Sequence, residues 1–172
     1  MVELKLQNYD ENVSLFNQQK ELLLKNLSCP VAISHVGSTA IKNMLGKNII
    51  DVLVGVKNDT DFEITFSELE KLGFIPSKKT ESSIYHFFAS AEGETKSGDI
   101  HIHLVIEGTE RYDEFLILKN YLISHPEEAK AYSDYKLKLI KSGFTERKQY
   151  KAEKSKYVTA LIMRAKQNKI KK

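Results

Sequence analysis

Apolar residues recur at helical spacing over residues 11–27, with Leu15, Phe16, Leu22, Leu23 and Leu27 on one face. That spacing predicts an amphipathic helix packed on a core. Ser28-Cys29-Pro30 ends it, because the residue before a proline avoids the helical region. Residues 31–34 read as a short strand, 39–45 as one or two helical turns, and 49–56 as a continuous apolar strand central in a sheet. A second helix opens near Asn58, with Thr60 and Glu63 at capping-box spacing. Phe62, Phe66, Leu69 and Leu72 form its buried face, and Gly73 is placed to end it. A short strand at 74–75 follows.

Residues 84–89 and 100–106 then read as a hairpin joined by the polar stretch 90–98. In the second strand Ile100, Ile102, Leu104 and Ile106 share one face, and His101, His103 and Val105 share the other. The rest is helical in pattern. Residues 111–124 are interrupted by His125-Pro126, with Pro126 suited to the first turn of a helix over 127–142. Gly143 is a natural stop. A last helix over 145–166 carries Tyr150, Tyr157, Val158, Leu161, Ile162 and Ala165 at helical spacing. The expectation is α/β class: one domain over 1–172, with a mixed α/β core over 1–110 and a helical part over 111–172.

Composition narrows the class. No apolar run approaches the roughly 18 residues of a membrane span, and the charged, alternating start Met1-Val-Glu-Leu-Lys-Leu6 is unlike a signal peptide. Cys29 is the only cysteine, so no internal disulfide can form, and a cytoplasmic location is expected. The net charge of +3 conceals an asymmetry. Residues 136–172 hold 13 Lys/Arg against two acids, Glu146 and Glu153, while residues 1–135 hold 13 Lys/Arg against 21 acids. A basic C-terminal third attracts a nucleic acid or another polyanion; alternatively it is a solvated helix face with a frayed basic tail over 164–172.

The chemistry concentrates around His35-Val-Gly-Ser-Thr-Ala-Ile41 and Lys47-Asn-Ile-Ile-Asp51-Val-Leu-Val54. Gly37 permits a tight turn whose following amides, at Ser38 and Thr39, can face an anion. Asp51 is a lone carboxylate within an apolar strand, where an unpaired charge is costly. A Gly-Ser pair followed by a strand aspartate resembles the signature of the nucleotidyltransferase superfamily. That resemblance implies triphosphate held at Gly-Ser and divalent metal held by two acids alternate on the next strand, with a third acid from a later strand.

A wider and more specific resemblance is to the GrpB family. It rests on His35-Val-Gly-Ser-Thr-Ala40, Lys47 to Val54, His101-Ile-His-Leu-Val105, Tyr121-Leu-Ile-Ser-His-Pro126 and Tyr150-Lys-Ala-Glu-Lys154, in that order. It implies a nucleotidyltransferase-like mixed sheet with flanking helices. In some organisms such a domain is fused to dephospho-CoA kinase, which implies a non-catalytic partner module linked to coenzyme A metabolism as an alternative. The chain departs from the patterns at several places. The second metal carboxylate would stand at Leu53, and residue 49 is Ile. The third acid is replaced by His101 or His103. Two prolines usual in the GrpB motif are Lys42 and Asn48, and the usual Arg-Asp before the His-Pro break is Lys119-Asn120.

Two readings of the histidines stand side by side. His101 and His103, at i and i+2 on one face, have spacing used for paired metal ligands, and His35 and Asp51 could complete a set. The other reading is histidines on a sheet face, hydrogen-bonded to Asp51 or to a carbonyl. Lys47 suits a phosphate as a point charge or is an ordinary exposed lysine at a strand entrance. Tyr150 and Lys154 are helical neighbours able to reach an anion together, or a core tyrosine and a solvated lysine. His125 marks a helix boundary, and Cys29 has no activating base in view.

The function read from this is binding of a nucleotide or other phosphate-bearing small molecule. Gly37, Ser38, Thr39, Lys47, Tyr150 and Lys154 hold phosphate, and Asp51, His101 and His103 are candidate catalytic groups of a nucleotidyl or phosphoryl transferase. Asp51, His101, His103 and His35 are candidate ligands of a divalent metal, Mg or Mn ahead of Zn. A His-based metal-dependent hydrolase, a protein partner and a nucleic-acid partner are the remaining alternatives; no membrane is expected.

Overall fold

The computed structural model describes residues 2–78, 82–91 and 99–170, without the side chains of 169 and 170. Strand β1 (Lys5–Leu6) precedes helix α1 (Tyr9–Asn26), which Asn8 caps by accepting from the Glu11 amide. Strand β2 (Ala32–Val36) ends at Gly37 and leads into a 3₁₀ turn, Ser38–Ala40. Strands β3 (Leu45–Gly46) and β4 (Ile50–Val56), helix α2 (Asp59–Lys71) and strands β5 (Phe74–Pro76), β6 (Tyr85–Ser90) and β7 (Ile100–Ile106) follow. Helices α3 (Glu110–Ser124), α4 (Pro126–Lys141) and α5 (Arg147–Ile170) complete the chain.

The main sheet has the order β2-β4-β7-β6-β5. Only the central β4–β7 pair is parallel; the other neighbours are antiparallel. The mixed α/β class is as the sequence pattern predicts, with β4 at the centre as its unbroken apolar run requires. A separate two-stranded ribbon pairs β1 with β3.

The two faces of the sheet are covered differently. On one, Ile50, Val52, Val54, Ile102, Leu104 and Phe88 pack against Phe16 and Leu23 of α1 and Phe62 and Leu69 of α2. On the other, Val36, Leu53 and Val105 pack against Tyr112, Phe115 and Leu116 of α3. Ile41 and Met44 are buried with Tyr121, Leu122, Tyr132 and Leu161 from the three C-terminal helices. Val2, Leu139 and Tyr150 form a smaller apolar group.

Several local expectations need correction. Leu15 and Leu22 of α1 are 37% and 41% exposed, so its buried stripe is narrower than the leucine spacing implies. The α2 cap is Asn58, whose side chain accepts from the Asp61 amide, rather than Thr60. An Asx cap needs no glutamate at its third position. The segment predicted as helical at 39–45 supplies only the 3₁₀ turn and then β3, because Leu45 and Gly46 pair with Leu6 and Lys5. Most of the loop at 90–98 lies outside the described residues.

The basic end is not frayed where it is described: α5 continues to Ile170. Arg164 grips Glu128 of α4 with two nitrogens at 3.2 and 3.0 Å, and Lys166 Nζ lies 2.8 Å from Glu110 of α3. Residues 171 and 172 lie outside the described range.

Candidate functional site

Strand pairing brings the central polar residues together. In register, Asp51 of β4 stands beside Val36 of β2 and beside His101 of β7, and Leu53 stands beside His103. Paired positions share a sheet face, and side chains two apart along a strand also share it. Asp51, His101 and His103 are therefore all on the face covered by α3. His103 Nε2 is 3.1 Å from Asp51 Oδ1, and His101 Nδ1 is 3.5 Å from the same oxygen.

Asp51 is held ionised. Burial opposes its charge, but the hydrogen bonds from His101 and then His103 outweigh burial and push its pKa well below the usual carboxylate range. Burial pushes the His103 pKa down, against the pull of Asp51. A neutral His103 must carry its proton on Nε2 to donate to the carboxylate, leaving Nδ1 to accept. Tyr85 Oη of β6 lies 3.1 Å from that Nδ1 and donates to it. The result is a directed chain, Tyr85 to His103 to Asp51. The Arg111 guanidinium of α3 lies over the rings of Tyr85 and Phe115, at 4.9 and 4.8 Å. Tyr85 and Arg111 were not picked out from sequence. Tyr85 differs from its neighbours only by facing His103 across an inter-strand diagonal, and no local motif announces that.

Gly37 closes the other side of the carboxylate. Its φ of +75° and ψ of −170° lie in a region open essentially to glycine alone. A Cβ built there would sit 2.3 Å from Asp51 Oδ2. Thus Oδ1 is engaged by the imidazoles while Oδ2 is pressed against the turn.

His35 is not part of this group. It pairs with Val52, on the face covered by α1, and its ring stacks on Phe16 with centroids 4.7 Å apart. Its Nε2 donates to Thr39 Oγ1 at 2.9 Å, and Thr39 donates on to the Ile49 carbonyl at 3.2 Å. Burial, reinforced by the positive charge of Lys119, lowers the His35 pKa to about 4. The strand's period of two separates His35 from the metal-ligand role, and Thr39 is fully buried with its hydroxyl committed internally rather than turned to a phosphate. Ser38 is half-buried, its Oγ 2.3 Å from where a Gly46 Cβ would stand.

Lys47 and Lys154 lie close enough to feel the charge of Asp51. Lys47 lies with its Nζ over the ring of Tyr150, 5.2 Å from the centroid, and that tyrosine is 1% exposed. Burial, then the charges of Lys154 and Arg147, lower the Lys47 pKa to about 8; Asp51 pulls the other way. Burial also lowers the Lys154 pKa, again against the pull of Asp51 and with Lys151 reinforcing burial. Lys136 of α4, 3% exposed, donates from Nζ to the Leu45 carbonyl. Its pKa falls to about 7 through burial and the charge of Lys154. Among the described residues none of Lys47, Lys136, Arg147, Lys151 and Lys154 forms an ion pair with a carboxylate.

A two-metal centre needs acidic side chains this face lacks. Asp51 is the only acid among the α3-facing positions of β4 and β7, where Leu53, His101 and His103 stand beside it. Both imidazoles approach one oxygen of that carboxylate. Among the described residues no group of three His, Cys, Asp or Glu side chains is arranged to hold a metal ion. The donor set does not fit a two-metal clamp. Nor is any helix among the described residues long and apolar enough to cross a membrane.

Comparison with known proteins adds the family. A UPF0157 protein of Pseudomonas aeruginosa is 28% identical over 87% of this chain and 62% of its own length. The UPF0157 protein YqkA of Bacillus subtilis is 32% identical over 72% of this chain and 36% of its own. The chain thus spans less than two thirds of these two relatives. The glutamate-rich protein GrpB of Alkalihalophilus pseudofirmus is 29% identical over 86% of this chain and 87% of its own. The crystal structure of the conserved protein GrpB from Enterococcus faecalis superposes with a TM-score of 0.77 at 22% identity, covering 94% of this chain and 98% of that one. The sequence pattern of the family described as GrpB protein matches residues 3–164, and the chain belongs to the GrpB family.

Proposed function

We propose that this chain binds a nucleotide or related phosphate-bearing small molecule on a nucleotidyltransferase-like framework. The phosphate would lie between the Gly37–Ser38 turn and the side chains of Lys47 and Lys154; Tyr150, packed with Val2 and Leu139 and 1% exposed, is the core tyrosine beneath Lys47 and not a phosphate contact. The observation that carries this reading is the pair of half-buried lysines, Lys47 and Lys154, which both feel Asp51 and repel one another while neither forms an ion pair among the described residues. Half-buried like charges that depress one another's protonation are an unfavourable arrangement in an empty protein. A bound anion relieves it. Helix α5 adds to the bias: it opens with Arg147 and Lys148 and has no acid in its first turn, where the helix dipole favours negative charge.

A second reading is a nucleotidyl or phosphoryl transferase with Asp51, His101 and His103 as its reacting groups. Their convergence on one carboxylate oxygen favours it. Against it, an Asp held so firmly ionised is a weak base. Diffuse nucleic-acid binding by the C-terminal third is less favoured, because Arg164 and Lys166 are engaged by Glu128 and Glu110.

A thermal-shift panel of nucleoside mono-, di- and triphosphates and coenzyme A tests the reading. Stabilisation by phosphorylated ligands, absent for the parent nucleosides and absent in Lys154→Ala, is expected. No shift with any phosphorylated ligand would overturn it.

A further inference from the structure

Helix α4 buries two polar side chains where it meets β3. Ser133 and Lys136 are 5% and 3% exposed, and at i and i+3 they share one face of the helix. Both meet the same residue. The Leu45 amide donates to Ser133 Oγ at 3.2 Å, and Lys136 Nζ donates to the Leu45 carbonyl. An amine taken out of water costs free energy unless a strong contact offsets it. A methionine would fill the same space without that cost, so the role of the amine lies in the contact it makes.

The gripped segment has little hold of its own. Strand β3 is two residues long and pairs with the equally short β1; a ribbon of that size is marginal by itself. Gln7 adds one bond, from its amide to the Met44 carbonyl at 3.2 Å. The next residue, Gly46, backs onto the candidate anion turn. A Cβ there would stand 2.3 Å from Ser38 Oγ and 3.1 Å from the Gln7 carboxamide carbon. Ser38 therefore rests on the segment that α4 holds, and one peptide unit, Leu45–Gly46, connects the two.

Resting on the binding reading above, we propose that Ser133 and Lys136 are positioning residues of that site: by fixing both polar groups of Leu45 they fix Gly46, and Gly46 sets where the Ser38 hydroxyl stands. Neither side chain touches the ligand. Facing the Lys136 amine are the Tyr132 ring, 4.7 Å away on its own helix, the Leu45 carbonyl of β3, and the charge of Lys154 from α5. None of the ion pairs among the described residues includes it. Burial, then the charge of Lys154, brings its pKa to about 7. A charged amine donates more strongly than a neutral one, so the grip on Leu45 tightens as pH falls through that value.

Carbon- and nitrogen-resolved NMR of the full chain reads this hold without any ligand. The wild-type Leu45 carbonyl and Ser38 Cβ resonances should titrate together near pH 7, and the shared titration should vanish in Lys136→Met. Ser133→Ala removes the other contact with no change of charge. It should speed exchange of the Leu45 amide about tenfold and displace the Ser38 resonance as well. Phe66→Leu, which loosens the core on the opposite sheet face, should move neither signal. Calorimetry with ATP and coenzyme A as probes should show affinity falling severalfold in both α4 variants. Weakening in Ser133→Ala separates positioning from lost electrostatic attraction, because no charge is altered. If Leu45 responds in both variants while Ser38 stays in place, α4 anchors β3 without setting the turn, and the inference is overturned. Displaced Ser38 with unchanged affinity in both variants overturns it equally. A wild type that binds neither probe counts against the binding reading instead, and the Ser38 resonances then decide the inference alone.

Discussion

Gly37 is glycine because the carboxylate of Asp51 occupies the space where its side chain would stand. A Cβ there would come within 2.3 Å of Oδ2, and the backbone is held at φ +75°. The turn and the charge are one unit, although they stand 14 positions apart in sequence.

Gly37→Ala should therefore destabilise the protein on two counts. The backbone conformation alone costs about 1–3 kcal/mol for a residue with a Cβ, and Asp51 must shift away from its imidazoles. Urea denaturation should show the loss, accompanied by changed imidazole resonances of His101 and His103. A variant as stable as wild type with unchanged imidazole signals would contradict the packing described.

The Tyr85–His103–Asp51 chain has a fixed direction, so its members are not equivalent. Nitrogen-resolved NMR at pH 7 should find His103 neutral with the proton on Nε2. Tyr85→Phe removes one neutral hydrogen bond and should cost about 0.5–1.5 kcal/mol. Asp51→Asn removes a charged acceptor used by His103 and approached by His101, and should cost more, about 1.5–3 kcal/mol. A proton on Nδ1, or Tyr85→Phe being the more damaging change, would reverse the assigned direction.

The pH dependence of stability follows from buried bases. Lys136 titrates near 7 and Lys47 near 8 in the fold, below their ordinary 10.5. Between those values the unfolded chain binds more protons than the folded one, so stability should rise from pH 7 toward pH 9.5. Above about pH 10 the trend should reverse, because burial holds the Tyr132 and Tyr150 hydroxyls protonated beyond their usual range, Tyr150 to about 12. On the acid side His35, near 4 against 6.5 unfolded, makes stability fall as pH drops through that interval. Thermal melts across pH 4–12 should show this profile, and Lys136→Met should flatten the rise above pH 7. A flat profile in the wild type would mean that these groups are not buried as described.

Much of the fold was legible in the chain, for identifiable reasons. The unbroken apolar run of β4 announced a central strand. The alternation of Ile100, Ile102, Leu104 and Ile106 against His101, His103 and Val105 announced which β7 side chains share a face. The Gly37 turn and Asp51 were visible as a motif. Other features depend on contacts that no local pattern encodes. The pairing of Leu45 and Gly46 with the N-terminal strand overrides the helical look of 39–45. His35 lies one residue off the phase that would bring it to Asp51, which only the β2–β4 register decides. Lys166 looked like part of a frayed tail because its partners, Glu110 and Glu114, belong to another helix. Lys136 entered only as one charge of the basic C-terminal third, yet it is buried where α4 meets β3, a contact set by tertiary packing alone.

The most direct test of the central claim is the affinity of ATP for the wild-type protein and for Lys47→Ala and Lys154→Ala, measured by calorimetry at low ionic strength. Each side chain contributes about 1.5–3 kcal/mol through a charged contact, so each variant should bind at least tenfold more weakly while keeping its fold. Unchanged ATP affinity in both variants would contradict a phosphate site built on Lys47 and Lys154.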